Sequence, residues 1–314
     1  MAQVDRSGHV PGRVNIGIDL GGTKTELIAL RDGRELLRFR TPTPQGDYAA
    51  TVDNIVSMVH QAEQSLDTRA TVGVGIPGAL SRSTGRVKNA NSTWLIGEDL
   101  KRDLERALGR TVAIENDANC FALSEATDGA GAGAESVFGV IIGTGCGGGL
   151  IFRGQVITGI NAIAGEWGHN PLPWAEADDE AMPCYCGLHG CIETFLSGPG
   201  MTRHFSAVSG RMLTARKIAA LAEAGDEQAV AHLERYCVWL AKGLASVINL
   251  FDPEVIVLGG GLSNISLLYE RVPQLWEHWV FSDRVDTRLV PPIYGDSSGV
   301  RGAAWLGAQQ EVTG

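Results

Sequence analysis

The chain has 314 residues, 44% of them hydrophobic and 20% charged, with a formal net charge of −10. That is ordinary soluble globular material, long enough for two domains of typical size. The acidic balance and the lack of any Lys/Arg run exclude a nucleic-acid or anionic-membrane surface, so small molecules are the expected partners. No apolar run approaches the roughly 18–20 residues of a membrane span, and residues 1–13 are polar without an apolar signal core. The cytoplasm is the expected compartment. Of the six cysteines, Cys120, Cys146 and Cys237 sit singly in apolar segments, which does not fit a secreted disulfide framework.

In chain order, VNIGIDL (residues 14–20) reads as a buried strand and KTELIAL (24–30) as its hairpin partner, turned by Gly21 and Gly22. A third short strand, 36–40, completes the meander. After the TPTPQGD punctuation, residues 48–65 place Val52, Ile55, Val56 and Val59 at helical spacing. Strand 71–76, a helix near 99–108, strand 111–115 and a helix over about 117–126 follow, so the first third is α/β.

Residues 137–152, VFGVIIGTGCGGGLIF, repeat the opening plan of apolar strand, tight Gly/Thr turn and second strand. Two matched copies suggest a duplicated α/β unit. Such turns can present backbone N–H groups with no Cβ in the way, as a phosphate-cradling hairpin requires; Gly-rich β-turns are also common for purely structural reasons. A core-facing helix at 231–251 leads to EVIVLGGGLSN (254–264), a strand that emerges into Gly259, Gly260 and Gly261 before a helix expected after Ser263. An open backbone at a strand's carboxyl end is where nucleotides sit in sheets of this kind. Neither G-x-G-x-x-G nor G-x-x-x-x-G-K-[ST] occurs, which disfavours a dinucleotide fold and a P-loop. The terminal segment 295–308 reads as a turn and a helix.

Cys184, Cys186 and Cys191 fall within eight positions, separated by Tyr185 and by residues 187–190. They can converge on one ion but lack the CxxC spacing of a redox pair. Thiolate and imidazole donors suit tetrahedral zinc, and a Cys3His set leaves no open position for catalytic water. On spacing alone the fourth ligand is either His169 or His189. His9, His60, His204, His232 and His278 show no ligand spacing.

The segments DLGGTKTE (19–26), ENDANCFALSEA (115–126), GTGCGGGL (143–150), GEWGH (165–169), CYCGLHGCIE (184–193) and VIVLGGGLSN (255–264) together resemble the ROK family. The family comprises sugar kinases and related repressors. The resemblance implies an actin-like, ribonuclease-H-like duplicated α/β fold of two lobes with an interdomain cleft. It divides the chain into 1–117 plus 299–314 as a small lobe, the C-terminal helix returning to it, and 118–298 as a large lobe with the zinc-bound loop. KNANSTWL (88–95), GEWGHNPLPW and CYCGLHGCIETF most resemble the bacterial manno(fructo)kinase type; N-acetylglucosamine kinases share nearly all of the remaining pattern.

The resemblance implies a metal set of His169, Cys184, Cys186 and Cys191 holding structural Zn²⁺. It implies a sugar pocket lined by Asn91, Asn116, Asp117, Glu166, His169 and Glu193, with backbone contacts from Gly78. Carboxylates accept hydrogen bonds from sugar hydroxyls, and Asn both donates and accepts. Asp117 is then the base. A carboxylate with an ordinary pKa of about 3.9 is weak, yet adequate when the proton leaves late in phosphoryl transfer. Asp is also favoured as a helix N-cap, and Asp117 precedes a helix. Asp19 is expected to organise Mg²⁺ that arrives with ATP. Thr23, Thr144 and the amides of Gly21, Gly22, Gly143, Gly145 and Gly147 are expected to hold the phosphates. Lys24 points either to phosphate or to solvent.

The activity so implied is ATP-dependent transfer to the 6-hydroxyl of fructose, with mannose and glucose as further hexoses, N-acetylglucosamine as the alternative, and a homodimer as the assembly. Two other classes share the fold. A sugar-responsive repressor is expected to carry a helix-turn-helix ahead of the first strand, which here begins near Val14. A non-sugar ATPase is expected to lack ENDAN joined to the Cys-rich loop.

Overall fold

The computed structural model describes residues 10–309. His9 and most of the polar N-terminal stretch lie outside the described residues, as does the end of the expected small lobe at 310–314. By contact the chain divides into two compact units: residues 1–135, 149–164 and 296–314, and residues 136–148 and 165–295.

The first unit opens with an antiparallel meander of β1 (Val14–Leu20), β2 (Lys24–Arg31) and β3 (Arg34–Pro42). β1 is buried almost throughout, with Val14, Ile16, Ile18 and Leu20 on one face and Asn15, Gly17 and Asp19 on the other. Next comes α1 (Tyr48–Leu66), capped by Asp47, whose side chain accepts from the Ala50 amide at 3.0 Å. β4 (Thr71–Ile76) pairs parallel with β1, and a small antiparallel pair follows, β5 (Ala79–Leu80) and β6 (Val87–Lys88). α2 (Leu100–Leu108) stops at Gly109, a left-handed residue with φ of 62°. β7 (Ala113–Asn116) pairs parallel with β4 and runs straight into α3 (Asp117–Thr127). The sheet order is β3-β2-β1-β4-β7. One hydrophobic cluster joins Ile16 and Ile18 of β1 and Val72 and Val74 of β4 to Ile55 and Val59 of α1 and Leu100 and Leu104 of α2.

The second sheet repeats the plan. β8 (Ser136–Ile142) and β9 (Cys146–Phe152) form the second Gly/Thr hairpin, and β10 (Gln155–Val156) pairs antiparallel with β9. Four helices follow: α4 (Ile192–Leu196), α5 (Gly198–Ser209), α6 (Ala215–Glu223) and the long α7 (Glu227–Phe251). β11 (Val255–Gly259) pairs parallel with β8, a 3-10 turn (Gly261–Asn264) leads to α8 (Leu267–Trp276), and β12 (Arg288–Val290) pairs parallel with β11. The order β10-β9-β8-β11-β12 matches the first sheet position for position. The helix expected directly after Ser263 begins three residues later than the turn that stands there, and α4, α5 and α6 are additions to the sequence reading.

The final helix, α9 (Ser298–Gln309), belongs to the first unit and lies on β1 and β4 with backbone against backbone. A Cβ on Gly17 would stand 2.1 Å from the Val300 carbonyl oxygen, and one on Gly73 1.9 Å from that of Ala303. On the helix itself, a Cβ on Gly302 would stand 1.7 Å from the Cys120 carbonyl oxygen of α3. With α3 packed on α9 in this way, contacts group residues 118–135 with the first unit.

Gly302→Ala is therefore expected to cost about 1–3 kcal/mol or more through overpacking, read as a thermal midpoint lowered by several degrees. Gly299→Ala on the same helix, whose new Cβ would meet nothing nearer than Asp19 Oδ2 at 3.9 Å, is expected to leave the midpoint unchanged or raise it.

Candidate functional site

In the first unit, Asp19 sits near the carboxyl end of β1, opposite Glu26 across the hairpin and Gly75 across the parallel pair. Burial, and then the charges of Asp117 and Glu26, push its carboxyl up to about 7 against the opposing pull of Arg40. Glu26 is buried and ion-paired to Arg38 and, at 2.9 Å, to Arg40. The neighbouring turn is held from outside. The Thr43 hydroxyl donates to the Gly21 carbonyl at 2.8 Å, the Thr43 amide to that of Thr23 at 3.0 Å, and the Gln45 amide group to that of Gly22 at 2.8 Å. The TPTPQGD stretch, read from sequence as punctuation, is thus the brace of this turn. Gly21 N–H donates to the Lys24 carbonyl at 3.1 Å. It closes the turn, which corrects its expected role as a phosphate donor. Gly22, Thr23 and Lys24 are exposed.

At the β7–α3 junction the helix cap is Asn116, which corrects the alternative that Asp117 caps α3. Asn116 Oδ1 accepts from the Ala118 amide at 2.9 Å while its Nδ2 donates to the Gly78 carbonyl at 3.1 Å. Asp117 is the exposed first residue of α3, one oxygen accepting from the Ala118 amide at 2.8 Å. Gly78 is buried with φ of 150°, and a Cβ there would meet the Lys88 carbonyl oxygen at 2.8 Å. Its N–H donates to the Ile76 carbonyl, so both of its backbone groups serve the fold. Asn91 is exposed beside the buried Ser92. Glu115 was left without a role by the sequence reading. Its carboxylate accepts from the Asn116 amide at 3.0 Å, Asn119 Nδ2 at 2.8 Å and the Thr158 hydroxyl at 3.2 Å, steadying the junction that carries Asp117. Its place in ENDAN was the only signal for it.

In the second unit the β8–β9 turn closes through Gly143 N–H to the Gly145 carbonyl at 3.0 Å, so the Gly143 amide, like Gly21, is engaged within the turn. Thr144 is exposed. Trp167 Nε1 donates to the Gly147 carbonyl at 3.1 Å. The β11 glycines abut this turn: Gly260 has φ of 81° and lies so near Ile142 that a Cβ would stand 2.5 Å from its carbonyl oxygen, and a Cβ on Gly143 would lie 3.9 Å from the Gly261 amide. Gly259 is the buried last residue of β11. Glu193, in the first turn of α4, accepts from the Cys146 amide at 2.9 Å, and the Gly198 amide donates to the Gly143 carbonyl at 2.7 Å. Glu166 is exposed, immediately before the 3-10 turn Trp167–His169.

His169, Cys184, Cys186 and Cys191 bring one donor atom each within 4.8 Å of one another. Cys186 and Cys191 Sγ are 3.6 Å apart, as are Cys184 Sγ and His169 Nδ1. Tetrahedral zinc with Zn–S near 2.3 Å places its sulfurs about 3.8 Å apart, so the set fits. All of the cysteines are free thiols. His169 Nε2 meets the Tyr185 hydroxyl at 3.0 Å, an outer partner of the kind that fixes a ligand imidazole. Both ring nitrogens are thereby engaged, which leaves no ring atom for the direct sugar contact also expected of His169. His189 is exposed and outside the cluster. The same loop is fastened a second time: Asp179 accepts from Arg235 at 2.8 Å, Trp239 Nε1 at 2.6 Å and the Glu176 amide at 2.8 Å. Burial pushes the Asp179 carboxyl up, but these donors outweigh it and hold it below its usual range. The buried Lys242 adds an ion pair to Glu176 at 2.7 Å.

Asp19 yields a pH prediction. A carboxyl raised from 3.8 to about 7 on folding gives a contribution fully present below the unfolded value and lost as pH rises toward 7. Asp19→Asn is therefore expected to raise the thermal midpoint of the ligand-free protein at pH 8 and to leave it nearly unchanged at pH 4; an equal effect at both would contradict the assignment. Elemental analysis is expected to find about one metal ion per chain and Cys186→Ser to lose it; full retention in that variant would contradict the ligand set.

The ROK family signature matches residues 15–310. An N-acetyl-D-glucosamine kinase of Photobacterium profundum is 42% identical over 296 residues, covering 92% of this chain and 98% of the relative. Among solved structures, a ROK hexokinase from Thermus thermophilus is 32% identical with a TM-score of 0.84, covering 95% of this chain and 99% of that one. A ROK glucokinase from Streptomyces griseus, in complex with glucose and AMPPNP, is 28% identical with a TM-score of 0.73, covering 93% and 98%. With its twin five-stranded sheets and its two Gly/Thr hairpins, the chain belongs to the ROK family and is a sugar kinase on that family's duplicated, actin-like α/β fold.

Proposed function

We propose that the chain transfers the γ-phosphate of ATP to the 6-hydroxyl of N-acetyl-D-glucosamine. The observation that carries the sugar is the identity of 42% with an N-acetyl-D-glucosamine kinase along 98% of that relative's length. Fructose, which the sequence segments at 88–95, 165–174 and 184–195 favoured, has no support among these relatives and gives way to the alternative. Discrimination between hexoses rests on a group at carbon 2, and a site built to hydrogen-bond an acetamido group leaves its polar partners unpaired with a sugar that lacks it.

Asp117 is the base in this reading. Standing at the first position of α3 with Asn116 taking over the cap, it keeps a carboxylate for a hydroxyl proton that leaves late in the transfer. Asn91, Asn116, Glu166 and Glu193 are read as sugar contacts, and Gly78 as the buried backbone support of Asn116. Asp19 is read as the partner of Mg²⁺ brought by the nucleotide, its high pKa falling as the cation binds. Gly22, Thr23, Thr144, Gly145, Gly147 and Gly261 are read as the phosphate contacts. Zn²⁺ in the Cys3His set is structural and holds the loop of Glu166 and His169 to that of Glu193. No helix among the described residues is long and apolar enough to cross a membrane.

A coupled kinase assay with N-acetylglucosamine, N-acetylmannosamine, glucose, mannose and fructose tests the reading. N-acetylglucosamine is expected to give the highest kcat/KM; fructose in first place would overturn it. In the same assay Asp117→Ala is expected to lower kcat by about 10²–10⁴, while calorimetry still detects sugar binding.

A further inference from the structure

We infer that Glu193 is a positioning residue for the nucleotide-side turn between β8 and β9, in addition to any contact with sugar. This rests on the reading of that turn as a phosphate cradle.

Three observations carry it. Glu193 Oε2 accepts the Cys146 amide at 2.9 Å, a charge-assisted bond that fixes the residue at the far end of the turn. Gly145 leaves the room this bond requires, since a Cβ there would stand 2.9 Å from the same oxygen. Five residues after Glu193, the Gly198 amide at the start of α5 donates to the Gly143 carbonyl at 2.7 Å, so the α4–α5 segment grips the turn at both of its ends. The segment that supplies both grips begins at Cys191, a member of the metal cluster.

A carboxylate on an amide of a turn that must receive a triphosphate is unfavourable electrostatically unless it orders the turn. Removal of its acceptor leaves a mostly buried N–H without a partner, which favours another turn conformation. Glutamine keeps an acceptor oxygen at the same reach without the charge, whereas alanine keeps neither. The two substitutions therefore separate positioning of the turn from recognition of sugar.

The test is calorimetry of metal-loaded wild type, Glu193→Gln and Glu193→Ala with the non-hydrolysable analogue AMPPNP and Mg²⁺, without sugar. We expect wild type and Glu193→Gln to bind within about threefold of each other, and Glu193→Ala about tenfold more weakly. Amide hydrogen exchange at Cys146 is expected to be slow in the first two and accelerated in the third. A residue that serves sugar alone predicts equal nucleotide affinity and equal exchange in all three, and that result overturns the inference. Should Glu193→Ala fail to fold, a Glu193→Gln variant whose Cys146 exchange matches that of wild type supports the inference, and one whose exchange is accelerated overturns it. A wild type that does not bind AMPPNP at all would instead overturn the nucleotide reading itself.

Discussion

The close approach of α9 to its own sheet is the constraint on which the first unit depends. Glycine at positions 17, 73 and 302 lets backbone meet backbone where any side chain would collide. Interiors packed at this density transmit small displacements. The layer that results fixes two things at once. β1 carries Asp19 near its end, and α3, wedged against Gly302, carries Asp117 at its beginning. A helix contributed by the last residues of the chain thus sets the spacing between two acids that the sequence separates by nearly a hundred positions. Burial, and then their mutual repulsion, accounts for the elevated Asp19 pKa.

The second unit solves a related problem with different means. Its Gly/Thr turn is closed by its own first glycine, flanked by the β11 glycines and gripped by Glu193 of α4 and Gly198 of α5. The two hairpins look alike in sequence, yet the braces differ: Thr43 and Gln45 hold the first, Glu193 and Gly198 the second. Duplication preserved the strand-turn-strand plan and the sheet order, while each copy acquired its own supports.

Much of this was legible from residues alone. The strands betrayed themselves as short apolar runs ended by glycine, the helices read at 48–65 and 231–251 by their periodicity, and the candidate metal cluster by three closely spaced thiols, with His169 coming from the family resemblance. What sequence could not supply was direction. Asn116 and Asp117 are adjacent candidates for one cap, and only the backbone shows that Asn116 takes it, bonded also to Gly78. Gly21 and Gly143 look like open donors until the turn is seen to fold back upon them. Helices α4 to α6 escaped notice because their apolar faces are short and lie among glycine and serine. Carbon-2 chemistry of the sugar is a matter of pocket shape, which no local pattern encodes.

The loop between Trp167 and Ile192 is fastened at two places of unlike chemistry, four soft donors at one and the Asp179 network with Arg235, Trp239 and Lys242 at the other. With the proposed Zn²⁺ in place, a chelator would act on the first fastening and leave the second untouched. Demetallation should therefore loosen one rim of the loop while its other rim stays moored to α7, a local and reversible injury. On that reading the protein would survive stripping and accept the ion again, unlike small zinc domains that unravel outright when the ion departs.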